Sequence, residues 1–188
     1  RGNDFGSNSL VGAQGGSQAN LFMGGGQSDT LIGGGGADTL SGGSGDDLIY
    51  GSDSAGTGTD GDLLSGDAGN DTVIGAGGND SIFAGAGTDS IVANGGDDTI
   101  ESALAGARID GGTGTDWVSY ANTFTFNLAV SIDSSGAGIA QAGFPSGVDM
   151  LSGIEAVRGS TSADSLVGAQ DGSQGNIFDG GTGNDSLI

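Results

Sequence analysis

Aliphatic residues recur every nine positions through the middle of the chain, at Leu64, Val73, Ile82, Ile91 and Ile100. An aspartate stands two positions before each of them, and a glycine-rich segment precedes each aspartate. Such a repeat predicts a solenoid of short strands, because each repeat buries its apolar side chain only against its neighbours. We therefore expect an all-β fold, a parallel β-roll or β-helix solenoid with glycine-rich turns.

The same phase continues on both sides of this stretch, with one interruption and one missing aspartate. Asp62 follows Asp47 by fifteen residues, and we interpret the six extra residues, 51–56, as an inserted surface loop. Ala107 stands nine residues after Asp98, where the next aspartate is expected, so Asp89 has no aspartate eighteen residues further on. The aspartates that keep the phase, or match the repeat pattern near the end of the chain, are Asp29, Asp38, Asp47, Asp62, Asp71, Asp80, Asp89, Asp98, Asp116 and Asp185.

Three segments, 33–41, 111–119 and 180–188, read glycine-glycine-x-glycine-x-aspartate-x-aliphatic-x at every position. This pattern resembles the nonapeptide of the RTX (repeats-in-toxin) family. The resemblance implies a β-roll that binds several Ca²⁺ ions in two rows of glycine-rich loops, with the ten aspartates above as the metal ligands. RTX proteins of this glycine-rich, acidic, cysteine-free kind are secreted by bacteria and fold outside the cell.

The spacing itself also indicates a cation. Two repeats make one coil of eighteen residues, so aspartates eighteen apart should lie on the same edge of neighbouring coils, as Asp62 and Asp80 would. If the insertion only bulges, Asp38 pairs with Asp62, and Asp47 with Asp71. Close carboxylates repel, and carboxylate and carbonyl oxygens suit Ca²⁺ better than Mg²⁺. The alternative is that the aspartates only form turns.

The repeat pattern divides the chain into four regions. Residues 1–23 are degenerate initial coils, 24–119 the nonapeptide β-roll with its insertion, 120–163 a spacer of longer β coils, and 164–188 the start of another unit. Residues 165–188 match residues 9–32 at sixteen of 24 positions, an offset of 156 that indicates a tandem array. In the spacer, Phe124, Phe126, Leu128, Val130 and Ile132 alternate as in a half-buried strand; a separate small domain is the alternative.

Composition narrows the possible functions. The chain has 24 acidic residues, three basic ones and a formal net charge of −21, so we expect no binding to nucleic acid and an expanded calcium-free state. Histidine, cysteine and lysine are absent, which removes the usual catalytic bases and nucleophiles. No segment approaches the ~20 apolar residues of a membrane span, so we expect no membrane insertion.

We expect a non-catalytic, calcium-folded module of a secreted bacterial adhesin, surface layer or filament, with neighbouring units as partners. The alternative is the carboxy-terminal RTX domain of a secreted protease, lipase or epimerase. Because the chain starts at Arg1, we expect it to be part of a longer protein. We interpret Trp117 and Tyr120 as core residues rather than a sugar platform. The outward Ser and Thr ladders are interrupted at Leu48 and Leu63, which disfavours an ice-binding face.

Overall fold

The computed structural model describes residues 1–2, 6–14, 16–53, 58–122, 127–142, 147–169 and 175–188. These residues form nineteen β-strands, and no helix long and apolar enough to cross a membrane occurs among them. The strands are β1 (Ser9–Val11), β2 (Leu21–Gly26), β3 (Thr30–Ile32), β4 (Thr39–Ser44), β5 (Leu48–Tyr50), β6 (Leu63–Ala68), β7 (Thr72–Gly77), β8 (Ser81–Phe83), β9 (Ser90–Gly95), β10 (Thr99–Glu101), β11 (Arg108–Asp110), β12 (Trp117–Ser119), β13 (Leu128–Ile132), β14 (Gly138–Ala142), β15 (Val148–Ser152), β16 (Ala156–Arg158), β17 (Ser165–Val167), β18 (Ile177–Asp179) and β19 (Ser186–Leu187).

The strands form two sheets that face each other across a narrow core. The first sheet has the order β1-β3-β5-β7-β9-β11-β15-β14-β13-β17-β19, and the second has the order β18-β16-β12-β10-β8-β6-β4-β2. Up to β12 the chain alternates between the sheets, and each strand pairs in parallel with the strand one coil away. Typical pairs, such as Thr30 with Leu48 and Leu21 with Thr39, are eighteen residues apart. The predicted all-β parallel solenoid, with two repeats per coil, is confirmed.

The central residue of each short strand points into the core. Side chains alternate between the two faces of a strand, so a three-residue strand turns its middle residue inward and its two flanking residues outward. The five predicted inward residues, Leu64, Val73, Ile82, Ile91 and Ile100, have exposed fractions of 0–1%. They stack with their equivalents in adjacent coils into two aliphatic ladders, one for each sheet.

The insertion after β5 leaves the strand register intact. Ile49 pairs with Val73 and Leu40 pairs with Leu64, so these two coil steps span 24 residues instead of eighteen. Residues 54–56 of the insertion, and residue 57 after it, lie outside the described residues. The pairing is the one expected if the six additional residues form a bulge at the edge of the roll.

The spacer differs from the longer coils that we expected. Strand β14 runs antiparallel to both β13 and β15, so the three strands form a meander within the first sheet. Leu128, Val130 and Ile132 alternate with exposed residues, as predicted, whereas Phe124 and Phe126 lie outside the described residues. The meander ends in parallel pairing, β15 with β11 and β13 with β17. It therefore widens the first sheet without adding matching strands to the second.

A tight turn between β13 and β14 explains the reversal. The Asp133 N–H donates to the carbonyl oxygen of Ala137 at 2.9 Å, which closes the hairpin. The Asp133 carboxylate accepts hydrogen bonds from the Ser135 and Ala137 N–H groups at 2.8 and 3.1 Å. Aspartate stabilises such turns by bonding to the backbone just ahead of it, and a short turn joins antiparallel neighbours. The sequence Asp133 to Gly136 contains this turn signal, which is independent of the nine-residue repeat.

Candidate metal centre

The in-phase aspartates line the inner edges of the turns that lead into the strands. Each one precedes an inward aliphatic residue by two positions, and residues two apart in an extended segment face the same side. Their side chains are therefore directed toward the interior, and their exposed fractions are 0–4%. The buried members of the predicted set are Asp29, Asp38, Asp47, Asp62, Asp71, Asp80, Asp89, Asp98 and Asp116.

One carboxylate oxygen of these aspartates is bound to the neighbouring coil. The Asp62 N–H donates to Asp80 Oδ1 at 2.8 Å, and the Asp80 N–H donates to Asp98 Oδ1 at 2.7 Å. Across the insertion, the Asp38 N–H donates to Asp62 Oδ1 at 2.8 Å. The same bond joins Asp29 to Asp47, Asp47 to Asp71, Asp71 to Asp89, and Asp98 to Asp116. The aspartates thus form a hydrogen-bonded column along each edge of the roll.

The other carboxylate oxygen is buried without a protein partner in seven of these residues. This orphaned atom is the Oδ2 of Asp29, Asp38, Asp47, Asp71, Asp80, Asp98 and Asp116. A buried charged oxygen without a partner carries a large desolvation cost. Because the same buried oxygen lacks a partner in seven repeats, we infer that it binds a ligand that is not part of the protein chain.

Six of the seven orphaned oxygens face a glycine five residues earlier in the chain, whereas Asp98 has Ala93 at that position. A Cβ atom added to Gly75 would overlap both Asp80 Oδ2 and the carbonyl oxygen of Ala93 in the next coil. Gly33 is in the same position relative to Asp38 Oδ2 and the Gly51 carbonyl. At these two positions a charged oxygen and a neutral oxygen from adjacent coils therefore converge beside one glycine, and a side chain there would collide with both.

Burial also makes these carboxylates hard to ionise while they lack a cation. Desolvation, reinforced by the neighbouring carboxylates and partly opposed by the backbone N–H donor, raises the pKa of Asp71 and Asp80 to about 7. The same causes raise the pKa of Asp62 and Asp116 to about 6. The pKa values of Asp47, Asp89 and Asp98 are also raised, again chiefly by burial. A bound cation would remove this penalty.

The donor set fits calcium. Within the described ranges, no three acidic side chains cluster as they would in an all-carboxylate site. A cation between two turns would therefore be held by one or two carboxylates together with backbone carbonyl oxygens and water. Ca²⁺ accepts six to eight oxygen ligands of this mixed kind in flexible geometry, whereas Mg²⁺ requires a smaller octahedron and retains its waters.

A two-sheet roll with repeated oxygen cradles defines a calcium-binding repeat module. Residues 14–100 match the family model described as RTX calcium-binding nonapeptide repeat, in four overlapping copies at 14–49, 23–60, 56–91 and 65–100. This segment, just under half of the chain, belongs to that family, so the predicted resemblance is confirmed. Its repeats bind Ca²⁺ at multiple sites and form a structural module typical of secreted bacterial proteins. No curated protein sequence matches the chain.

The columns contain three acidic residues that are not among the ten predicted aspartates. The pairing of Ile109 with Leu151 places Asp149 over Ala107, and the pairing of Val118 with Val157 places Glu155 over Asp116. The Asp116 N–H donates to Glu155 Oε2 at 3.0 Å. The third residue, Asp164, accepts from the Leu128 N–H at 2.8 Å. All three stand two residues before a buried aliphatic residue, a signal that was present in the sequence but outside the nine-residue phase.

Asp149 differs from the orphaned aspartates because the protein bonds to both of its carboxylate oxygens. Asp149 Oδ1 accepts from the N–H groups of Gly106 and Ala107 at 3.1 and 2.8 Å. Asp149 Oδ2 accepts from the Ser102 hydroxyl at 2.6 Å and from the Tyr120 hydroxyl at 3.2 Å. Tyr120 is fully buried, as predicted for a core residue, and burial beside Asp149 raises its pKa well above the usual value. Hydroxyl and backbone donors thus fill the place that is left open at the other aspartates.

The ends of the columns differ from the middle. Asp185 is half-buried, and its Oδ1 accepts from the Asp164 N–H at 2.9 Å. Asp164 Oδ2 accepts from the Ser160 N–H at 2.6 Å, so this aspartate, like Asp149, has protein donors on both oxygens. At the other end, the Asn20 N–H donates to Asp38 Oδ1 at 2.6 Å, so asparagine keeps the column's backbone bond.

A second polar column lies one residue before the aspartates and runs in the opposite direction. The Asn70 N–H donates to Asp46 Oδ1 of the preceding coil at 2.8 Å, and the Thr88 N–H donates to Asn70 Oδ1 at 2.9 Å. On the other edge, the Thr115 N–H donates to Asp97 Oδ1 at 2.8 Å. The turns are therefore joined in both directions along the roll, through two adjacent repeat positions.

Proposed function

We propose that the chain is a non-catalytic structural module of a secreted bacterial protein, and that calcium binding outside the cell drives its folding. The observation that carries the proposal is the row of seven buried Oδ2 atoms without partners, five of which lie beside a carbonyl oxygen of the next coil. A formal net charge of −21 adds a general repulsion that divalent cations would reduce.

The proposed ligands are the ten aspartates Asp29, Asp38, Asp47, Asp62, Asp71, Asp80, Asp89, Asp98, Asp116 and Asp185. The seven with orphaned Oδ2 atoms are the best supported. Asp89 faces a coil with Ala107 in place of an aspartate, so its site has one carboxylate fewer. Asp149 is not proposed as a ligand, because hydrogen bonds from the protein already occupy both of its oxygens.

The calcium affinity proposed for these sites would keep the chain unfolded before secretion and folded after it. Extracellular calcium modules typically have dissociation constants of roughly 10⁻⁴ to 10⁻³ M. A chain with such sites stays unliganded, and in this proposal unfolded, at cytosolic calcium concentrations. It folds where calcium is millimolar, because the binding free energy becomes folding free energy.

The parent protein is proposed to be a tandem array, as in an adhesin, a surface layer or an extracellular filament. The proposed regions are the initial coils at 1–23, the nonapeptide roll at 24–119 with an insertion at 51–56, the spacer at 120–163, and the start of a further unit at 164–188. The second copy of the initial sequence favours an array over the tail of a secreted enzyme, since a tail that assists secretion needs no second copy.

The test is circular dichroism of the full chain during titration from excess chelator to ~10 mM calcium, above the dissociation constants typical of extracellular modules. We expect a cooperative gain of β signal with calcium that magnesium at the same concentration does not reproduce. A β spectrum that is unchanged between chelator and calcium would refute calcium-driven folding.

A further inference from the structure

The chain contains the beginning of its unit twice, in two different surroundings. Strands β1 and β17 lie in the first sheet, β2 and β18 in the second, and β3 and β19 in the first again. Leu10 pairs with Leu31 in the first copy, and Leu166 pairs with Leu187 in the second. The Gly12 N–H donates to the Ile32 carbonyl at 2.7 Å, and the Gly168 N–H donates to the Ile188 carbonyl at 2.8 Å. The two copies therefore have the same local structure.

The copies differ in what lies before them. Strand β17 pairs with β13, and β18 pairs with β16, so the second copy continues both sheets of the roll. Strands β1 and β2 instead stand at the ends of the two strand orders. As a result Leu166 is fully buried, whereas Leu10 at the equivalent position is half-buried and the adjacent Val11 is 54% exposed.

Residues 1 and 2 contact β2 in the same way as the end of β16 contacts β18. The Gly159 N–H, directly after β16, donates to the Asp179 carbonyl at 2.8 Å. The Gly2 N–H donates to the carbonyl of Met23, the residue equivalent to Asp179, at 2.7 Å. Both glycines follow an arginine, Arg158 and Arg1. Arg1 and Gly2 thus lie against β2 as Arg158 and Gly159 lie against β18.

We infer that the edge formed by β1 and β2 is the docking surface for the last strands of a preceding copy of the same unit. In this junction β1 pairs in parallel with a β13-type strand, and β2 pairs with a β16-type strand that ends at Arg1. Successive units then form one continuous roll with unbroken sheets, and not separate domains on linkers. The inference rests on the proposed array.

The side chains at the edge are compatible with this partner. The apolar positions that dock in the second copy are Leu166, Ile177 and Phe178, and the first copy has Leu10, Leu21 and Phe22 there. Two polar contacts change. Asp164, which accepts from the Leu128 N–H, is replaced by Asn8, whose side chain keeps a carbonyl acceptor. The ion pair of Arg158 with Asp179, at 2.9 Å, is lost to Met23; it is half-exposed and contributes little.

The test replaces residues 164–188 of the full chain with residues 8–32, which has the same length, so that the first-copy sequence meets β13 and β16. Ser131 and Val167 are adjacent across the junction, and the chain has no natural cysteine. The exchange moves Val11 to position 167, so both chains have a valine there. In both the original and the exchanged chain, Ser131 and the valine at position 167 are replaced by cysteine. Disulfide formation in calcium is followed by non-reducing electrophoresis and mass spectrometry. A chain with S131C and T72C, whose cysteines lie in distant strands, is the control for random pairing.

We expect the exchanged chain to form the disulfide within about twofold of the rate of the original chain. Efficient crosslinking in the original chain but only the control level in the exchanged chain would overturn the inference. Failure of the proposed calcium-driven folding would be detected separately. In that case circular dichroism of the original chain without cysteines would show no calcium-dependent gain of β signal.

Discussion

Replacing Asp80 with asparagine should remove one calcium site while keeping the backbone of the turn. Asp80 Oδ1 accepts from the Asp62 N–H at 2.8 Å, and an asparagine carbonyl oxygen keeps this bond. The substitution puts an amide group where the orphaned Oδ2 faces the Ala93 carbonyl. That group donates to a carbonyl oxygen and cannot bind a cation. The loss should therefore be specific to calcium.

The magnitude follows from linkage. A saturated site adds RT ln(1 + [Ca²⁺]/Kd) to the free energy of unfolding, which is about 1.4 kcal/mol for each tenfold rise in free calcium. At a calcium concentration of ~100 Kd the site contributes about 2.7 kcal/mol. D80N should therefore lower the free energy of unfolding by about this amount at ~100 Kd, and should reduce its slope against log calcium by about 1.4 kcal/mol per tenfold.

The assay is urea unfolding followed by circular dichroism at several free calcium concentrations, with calorimetric stoichiometry as a second measurement. D149N is the matched control, since Asp149 occupies the equivalent column position but its oxygens are bonded to Ser102, Tyr120 and backbone N–H groups. We expect D149N to cost about 1–2 kcal/mol by weakening charge-assisted hydrogen bonds, with no change of slope. An unchanged slope in D80N, or the same reduction in both variants, would refute the assignment of the orphaned oxygens to calcium.

Three other predictions concern the same roll. Lowering the pH from 8 to 5 in chelator should increase the β signal. The raised pKa values of the buried aspartates make the folded state bind more protons than the unfolded state from about pH 4 to about pH 7, so acidification stabilises the folded state in this range. The absence of a gain in β signal on acidification would contradict this prediction. Ile82→Ala should cost about 2–5 kcal/mol in calcium, whereas Phe83→Ala, at the adjacent outward residue, should cost much less, and equal urea midpoints for the two variants would argue against the inward ladder. Ala76→Gly should raise the free energy of unfolding by about 0.5–1 kcal/mol, because Ala76 has φ of 107° and glycine removes a strain that exceeds its entropy cost. A urea midpoint below that of the original chain would contradict this.

The periodic part of the site was predictable because it depends on local geometry. Once Asp71 and Val73 recur at Asp89 and Ile91, the eighteen-residue coil determines which residues are inward and which stack. The six-residue insertion does not change the strand register, since Ile49 still pairs with Val73 across it. Which carboxylate oxygen is bonded and which is orphaned was not predictable, because it depends on the distance between adjacent coils.

The sequence by itself thus determined the roll, its two aliphatic ladders and the positions of the aspartate columns. Only the tertiary structure decided how the meander pairs with the rest of the first sheet and the roles of Asp149, Glu155 and Asp164, which join the columns through partners such as Leu128, 36 residues from Asp164. The physical reason is the range of the interactions. A short repeat specifies its own turns and its contacts with the adjacent repeats. The register of the meander and the burial of Tyr120 beside Asp149 instead depend on contacts between segments whose separation is not set by the nine-residue repeat.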